Sequence, residues 1–320
     1  MEYDTRLLMK KYGIRPYKSC GQNFLADNNI KEKIVSACRT GKDDFVIEIG
    51  AGLGTLSREL AARAGRLAAI EADKRLIPAL EEALSGYKNV LIINEDVLKL
   101  DIKNHVIPMA LAYGAANEGN GTCEGNEPCR HGGDTFTPGN IKVVGNLPYY
   151  ITTPIIMKLL EEEPGIDEAV FMVQKEVADR IVAGPGTKEY GALSIAVRYY
   201  AKPKVLFNVP PSAFIPMPQV YSSVIKLVIN KKALVMLHDR SLFFKIVRAA
   251  FGQRRKTLLN ALFNANIFSL GKEEIKQIIA SLKVHGIDGD ARGEELSMEQ
   301  FAQLSNAIYK KLSRAYQTLN

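Results

Sequence analysis

Seven short apolar runs, spaced along one stretch of chain, limit what this sequence can fold into. They are DFVIEIG (44–50), RLAAIEAD (66–73), NVLIINED (89–96), IKVVGNLP (141–148), EAVFMVQK (168–175), KVLFNVP (204–210) and SSVIKLVI (222–229). Between the first three lie TLSRELAARA and KRLIPALEEAL, whose apolar residues recur at helical spacing. Strand and helix alternating at this pitch predict a parallel α/β sheet with helices on its faces. The last run follows its predecessor after a short Pro-rich loop. That loop is too short for a crossover helix, so the last two strands are expected to be antiparallel neighbours.

The alternation ends near residue 232. SLFFKIVRAAFG, RKTLLNALFNA, KEEIKQIIASL and SMEQFAQLSNAIYKKLS all read as amphipathic helices. Two domains are therefore expected: residues 1–232 around the sheet, and a small all-α domain at 233–320. Residues 113–139, rich in Gly, Asn, Glu, Thr and Pro, interrupt the strand series and read as a flexible surface insertion. The insertion holds Cys123, Cys129 and His131, but C-x5-C-x-H matches no common zinc pattern and has no clear fourth ligand. No metal site is predicted.

Composition excludes some function classes. No run approaches the roughly 20 apolar residues of a membrane span, and the N-terminal MEYDTRLLMKKYGIRPYK has no apolar signal core. Four cysteines in 320 residues make no disulfide framework, which points to a reducing cytoplasm. The net charge of +7 is concentrated: residues 231–260 hold eight Lys and Arg against one Asp. Such a cluster suits a polyanion such as RNA or DNA, or is a solvated helix face.

Glu48-Ile-Gly50-Ala-Gly52-Leu-Gly54 joins the first strand to the first helix. Glycines at alternate positions allow a ligand close to the backbone at a helix N-terminus, or merely let the helix pack closely on the sheet. The dinucleotide pattern G-x-G-x-x-G fails, because Thr55 and Ser57 stand where its last glycine belongs. Glu71 closes the second strand and Asp96 the third. An acid at the first position can accept from both hydroxyls of a ribose, and one at the second can meet an adenine amino group. Either could instead cap the next helix. Together with the glycine turn they outline an adenosine site along the carboxyl ends of the strands.

The combination of E-x-G-x-G-x-G, the two strand-end acids and Asn146-Leu147-Pro148-Tyr149 resembles the class I S-adenosylmethionine-dependent methyltransferases, which have a Rossmann-like fold. N-L-P-Y is similar to the [DNS]-[LIP]-P-[YFW] motif of enzymes that methylate exocyclic amino groups of adenine or cytosine. GQNFL (21–25), VQKEVADRIVAGPGTKEYGALSI (173–195), FIPMPQVYSSV (214–224) and FGQRRKTLLNAL (251–262) narrow the resemblance to the KsgA-type small-subunit ribosomal RNA adenine dimethyltransferases. The resemblance runs from about residue 6 to beyond 310, broken mainly by the 113–139 insertion; Cys20 departs from a common Leu.

The resemblance implies a sheet of seven mostly parallel strands with an antiparallel last strand, S-adenosyl-L-methionine as cofactor, and a small-subunit rRNA partner. Four methyl groups would go to two adjacent adenosines in the 3′-terminal hairpin. The implied cofactor contacts are Asn23, Leu25, Gly50, Glu71, Asp96 and Asn146. A monomer without membrane association is expected.

Chemistry gives N-L-P-Y a reason. The lone pair of an adenine amino nitrogen is delocalised into the ring, so acceptors that hold the NH2 group help localise it. The Asn146 side-chain oxygen and the Leu147 carbonyl can supply two. Pro148 stiffens the turn and restricts Leu147 to an extended conformation. Tyr149 offers a face on which an extruded base can stack. Tyr150 either lines the pocket or starts the next helix. Phe214 either packs on the target base or is a core residue. Arg248, Arg254, Arg255 and Lys256 are expected to meet phosphate rather than bases, and Arg6, Lys10, Lys11, Arg15 and Lys18 form a basic N-terminal arm.

Competing readings are a large-subunit rRNA adenine dimethyltransferase of the macrolide-resistance type, a non-catalytic RNA-binding assembly or transcription factor on the same fold, and a DNA adenine methyltransferase. The 176–194 and 251–262 segments favour the small-subunit group, and the intact N-L-P-Y favours catalysis.

Overall fold

The computed structural model describes residues 5–16, 22–112, 121–124, 136–162 and 165–317. Lys18, Cys20, Gly21, Cys129 and His131 lie outside these residues, as does most of the 113–139 insertion. The chain divides into two compact units, residues 1–178 with 202–229 and residues 179–201 with 230–320. The second unit thus takes in the segment 179–201, upstream of the last two strands.

Among the described residues the first unit contains ten strands: β1 (Phe24–Leu25), β2 (Asp44–Ile49), β3 (Arg66–Ile70), β4 (Val90–Asn94), β5 (Gly121–Glu124), β6 (Asn140–Asn146), β7 (Glu168–Gln174), β8 (Ala201–Val209), β9 (Phe214–Ile215) and β10 (Ser222–Ile229). Eight form one sheet in the order β5-β4-β3-β2-β6-β7-β10-β8. Every residue of β2 and β4 is buried, as expected of parallel strands covered on both faces. The pairs β2–β3, β3–β4, β2–β6 and β6–β7 are parallel, and β10 runs antiparallel to β7 from Ser222↔Gln174 to Val228↔Glu168. The seven strands read from the sequence are all present, and β10 and β8 are neighbours.

Two features differ from the sequence reading. The insertion contributes an eighth strand, β5, parallel to β4 with Leu91 opposite Gly121. Four residues between Gly-rich flanks carry too little periodicity to be recognised. Separately, β1 and β9 pair antiparallel, Phe24↔Ile215 and Leu25↔Phe214, so the QNFL and FIPMP segments lie side by side.

Strand order reverses between β3 and β6, on either side of β2. Open α/β sheets bind ligands beyond the strand ends at such a switch point. The β2–β6 register ends at Ile49↔Gly145, which brings the turn after Ile49 beside Asn146.

The helices in the first unit are α1 (Thr5–Lys11), α2 (Asn28–Cys38), α3 (Thr55–Arg63), α4 (Ile77–Leu84), α5 (Ile107–Ala112) and α6 (Thr152–Glu161). Asp27 caps α2 by accepting from the Ile30 amide at 3.1 Å, and Ile34, Val35 and Cys38 bury its inner face. The helix α7 (Lys175–Val182) runs from the first unit into the second. The second unit adds α8 (Ala192–Tyr200), α9 (Arg240–Gly252), α10 (Leu258–Ala265), α11 (Lys272–Ser281) and α12 (Met298–Gln317). Its core includes a ring cluster in which Tyr200 stacks on Phe244 at 5.9 Å and Phe243 meets Phe244 edge-on at 5.1 Å. No described helix is long and apolar enough to cross a membrane.

Candidate active site

The turn after β2 holds Gly50, Gly52 and Gly54 at φ of 73°, 60° and 74°. At Gly54 a side chain is excluded twice over, because a Cβ would also lie 2.7 Å from that of Ala83. Helix α3 starts at the next residue, so the turn leads directly into a helix N-terminus. A cavity of about 340 Å³ opens against this turn. Gly50, Glu71, Asp96, Asn146 and Tyr149 all line it.

Glu71 directly follows β3 and is 7% exposed. Its carboxylate accepts from the Gly52 and Asp73 amides, both at 2.8 Å. Each oxygen thus takes one backbone donor and keeps a lone pair for a ligand hydroxyl. Burial pushes this carboxyl above its ordinary value, against the pull of those same amides. Asp96 lies two residues past β4, and its Oδ1 accepts from the Leu98 amide at 2.9 Å. That bond closes a turn and caps no helix, since Asp101 caps the next helical segment, and it occupies Oδ1 rather than Oδ2.

Asn146 is the last residue of β6. Its Nδ2 donates to the Asn23 carbonyl at 3.0 Å. A carbonyl partner requires the amide nitrogen there, which leaves Oδ1 as the acceptor this side chain can offer a ligand. The Leu147 amide donates to Met172 O at 3.1 Å, continuing the ladder toward β7. Residues 148–151 form a turn closed by the Ile151 amide on Pro148 O at 3.2 Å. The Tyr149 hydroxyl lies 2.7 Å from Ser222 Oγ at the start of β10. Burial raises the phenol above its ordinary value, partly offset by that hydrogen bond.

Of the residues named from the sequence, Asn23, Gly50, Glu71, Asp96, Asn146, Leu147, Pro148 and Tyr149 come together around this cavity. Leu25 does not line it; it is 6% exposed, packed in the core, and its carbonyl accepts from Thr5 Oγ1 at 3.1 Å. Of the two readings of Phe214, its burial fits the core one. It is 3% exposed in the same core cluster and absent from the cavity wall, because its strand register places it opposite Leu25. Arg254 is engaged within the second unit: Nε donates to Glu294 at 2.9 Å, and Nη2 donates to the carbonyls of Lys188 and Tyr190. Arg248, Arg255 and Lys256 are exposed.

Sequence reasoning missed several wall residues. Phe24 lies across the glycine turn, its ring 3.6 Å from where a Gly52 Cβ would stand. Gln22 donates to Asp73 Oδ2 at 3.0 Å, and both line the cavity. Ser222 is fully buried behind Tyr149. Gln22 and Phe24 were within reach, since they flank Asn23 in the quoted QNFL segment. Glu48, 2% exposed in β2, lies beneath the turn. Burial pushes its carboxyl up to about 8, with Ser57 drawing it down and the charge of Glu71 adding to the rise.

This wall fits S-adenosylmethionine. Glu71 has acceptor capacity for ribose hydroxyls, and the acids Asp73, Glu95 and Asp96 along the cavity favour a cationic ligand in an otherwise basic chain. Among the described residues no cluster of His, Cys, Asp and Glu could hold a metal.

The family model for ribosomal RNA adenine dimethylase matches residues 15–310. Ribosomal RNA small subunit methyltransferase A of Lachnoclostridium phytofermentans is 47% identical over 306 residues, covering 95% of this chain and 96% of that protein. The protein of the same name from Alkaliphilus oremlandii is 45% identical over 308 residues, covering 96% and 97%. Among solved structures, a dimethyladenosine transferase from Plasmodium falciparum superposes with a TM-score of 0.68 at 24% identity, covering 90% of this chain and 98% of that one. The 23S rRNA methyltransferase ErmE gives 0.60 at 24% identity, covering 90% and 100%. At that identity these two likenesses speak for the fold, whereas the sequence matches run nearly end to end. The chain belongs to the ribosomal RNA adenine dimethylase family.

Proposed function

We propose that this protein transfers methyl groups from S-adenosylmethionine to N6 of two adjacent adenosines in the 3′-terminal hairpin of small-subunit ribosomal RNA. The products are N6,N6-dimethyladenosines, made during ribosome biogenesis. The observation that carries this reading is the position of Asn146-Leu147-Pro148-Tyr149, which share one cavity with Gly50, Glu71 and Asp96. Acceptors for an amino group thus stand beside a wall suited to an adenosine. Relatives named for the small subunit at 45–47% identity favour this substrate over the large-subunit alternative. The enzyme acts in the cytoplasm as a monomer, its partner being the immature small subunit.

The cofactor supplies an electrophilic methyl group on sulfur. Glu71 holds its ribose, Asp96 its adenine amino group, and Gly50 with Asn23 the approach beside the turn. Asn146 Oδ1, oriented by the hydrogen bond of Nδ2 to Asn23, accepts from the target amino group, and the Leu147 carbonyl accepts a second N–H. Pro148 fixes that carbonyl, and Tyr149, tethered to Ser222, stacks on the base. Catalysis is then largely orientation of nitrogen toward methyl carbon. A neutral amide also tolerates the monomethylated amine of the second transfer.

The test is incubation with radiolabelled S-adenosylmethionine and under-methylated small subunits, large subunits or DNA. Labelled dimethyladenosine in the small subunit alone is expected; label in the large subunit, or none, overturns the reading. Asn146→Ala should lower transfer by about 10²-fold or more, the size of effect seen when one preorganised hydrogen-bonding group is lost, with little loss of folding. Retained activity would remove Asn146 from its role.

A further inference from the structure

The turn over residues 148–151 has two tyrosines at its central positions, and only Tyr149 has a task so far. A tight turn splays the side chains of its central residues. Tyr149 goes to the cavity wall, where Ser222 holds its hydroxyl. Tyr150 also borders the cavity but is 63% exposed. Tyr221, directly before Ser222, is 54% exposed. Two largely exposed tyrosines thus lie within one residue of the Tyr149–Ser222 hydrogen bond. Exposed aromatic surface at the mouth of a cavity is costly unless something covers it.

We propose that Tyr150, with Tyr221 as a second exposed tyrosine one residue from Ser222, is a stacking platform for the adenosine adjacent to the one in the cavity. This rests on the reading that two neighbouring adenosines are the substrate. Two consecutive bases cannot enter one cavity together, so the second must be accommodated outside while the first reacts. A backbone that turns one tyrosine inward and the next outward offers a face to each base in sequence. Stacking on an aromatic ring tolerates any base and its methylated form, because it needs only a π face. The platform therefore serves whichever adenosine is outside, before or after its own methylation.

The experiment compares wild type, Tyr150→Ala, Tyr150→Phe and Tyr221→Ala on two RNA hairpins. One has both target adenosines; in the other the nucleotide next to the reacting adenosine is abasic. Tyr150→Ala should lose about 10-fold in kcat/KM on the first RNA, the scale of one stacked base, and Tyr150→Phe should restore it. Tyr221→Ala should lose a smaller factor on that RNA. On the abasic RNA, wild type should fall by a similar factor and Tyr150→Ala should fall no further. Equal losses on both RNAs, or no loss on either, would overturn the platform. So would a Tyr150→Phe variant as poor as Tyr150→Ala. If wild type methylates neither RNA nor the small subunit, the parent reading fails and the platform falls with it. Thermal unfolding of each variant checks that these exposed substitutions leave the fold intact.

Discussion

Glu48 lies in β2 and Glu71 directly follows the neighbouring β3, both close to the glycine turn, and burial raises both carboxyls. Their surroundings differ. Glu71 has two backbone amides on its oxygens, whereas Glu48 Oε2 is buried with no hydrogen-bond partner. An acid left that way is most stable protonated. Its folded value of about 8 exceeds the ordinary 4.5, so between those limits the folded protein holds a proton that the unfolded chain has lost. Stability contributed by this group is complete below pH 4.5, falls as pH rises through the window, and levels off above 8. Glu48→Gln cannot ionise. The stability of Glu48→Gln minus that of wild type, from thermal unfolding of ligand-free protein, should therefore grow steadily across that window. A flat difference would mean that Glu48 is already ionised in the fold.

Seven of the eight described strands of the main sheet were legible because buried strands read as continuous apolar runs, and Glu71, Asp96 and Asn146 were legible because they follow or end such runs. The two-residue strands β1 and β9 were not. A pairing that joins Leu25 to Phe214 leaves no local periodicity at either end. Ser222, 73 residues from Tyr149, was hidden for the same reason, as was the pairing of Gln22 with Asp73, 51 residues on. The pairing decides what Phe214 does. Its ring belongs to the cluster of Leu25, Ile34 and Val209, so Phe214→Ala opens a core cavity. It should cost about 3–5 kcal/mol in denaturant unfolding. Because β1 continues from Asn23, which orients Asn146, cofactor affinity should fall with it. Unchanged stability with a loss confined to RNA affinity would return Phe214 to the substrate side.

Charge is unevenly distributed over the molecule. The first unit gathers Glu48, Glu71, Asp73, Glu95 and Asp96 near its cavity, while the second carries the basic run at 231–260. The basic residues are not equivalent. Arg254, just past the end of α9, bonds to Lys188 and Tyr190 of the 179–201 segment, and the Tyr190 ring meets Phe251 of α9 edge-on at 5.6 Å. Two of the segments that carried the family resemblance therefore hold each other. Lys245 and Arg248 are exposed three residues apart on α9, and Arg255 and Lys256 are exposed just beyond its end. These suit a phosphate backbone, and each contact with phosphate displaces condensed counterions. Arg248, Arg255 and Lys256 changed together to Ala should weaken binding of small-subunit RNA. The slope of log affinity against log salt should also become shallower by about 2, at roughly 0.7–0.9 per lost contact. Binding of S-adenosylmethionine, followed by calorimetry, should not change. Arg254→Ala should instead lower unfolding stability by about 1 kcal/mol, since what it loses is internal hydrogen bonding. An unchanged salt slope in the triple variant would place the RNA contact elsewhere. A change in slope from Arg254→Ala alone would mean that its guanidinium also reaches phosphate.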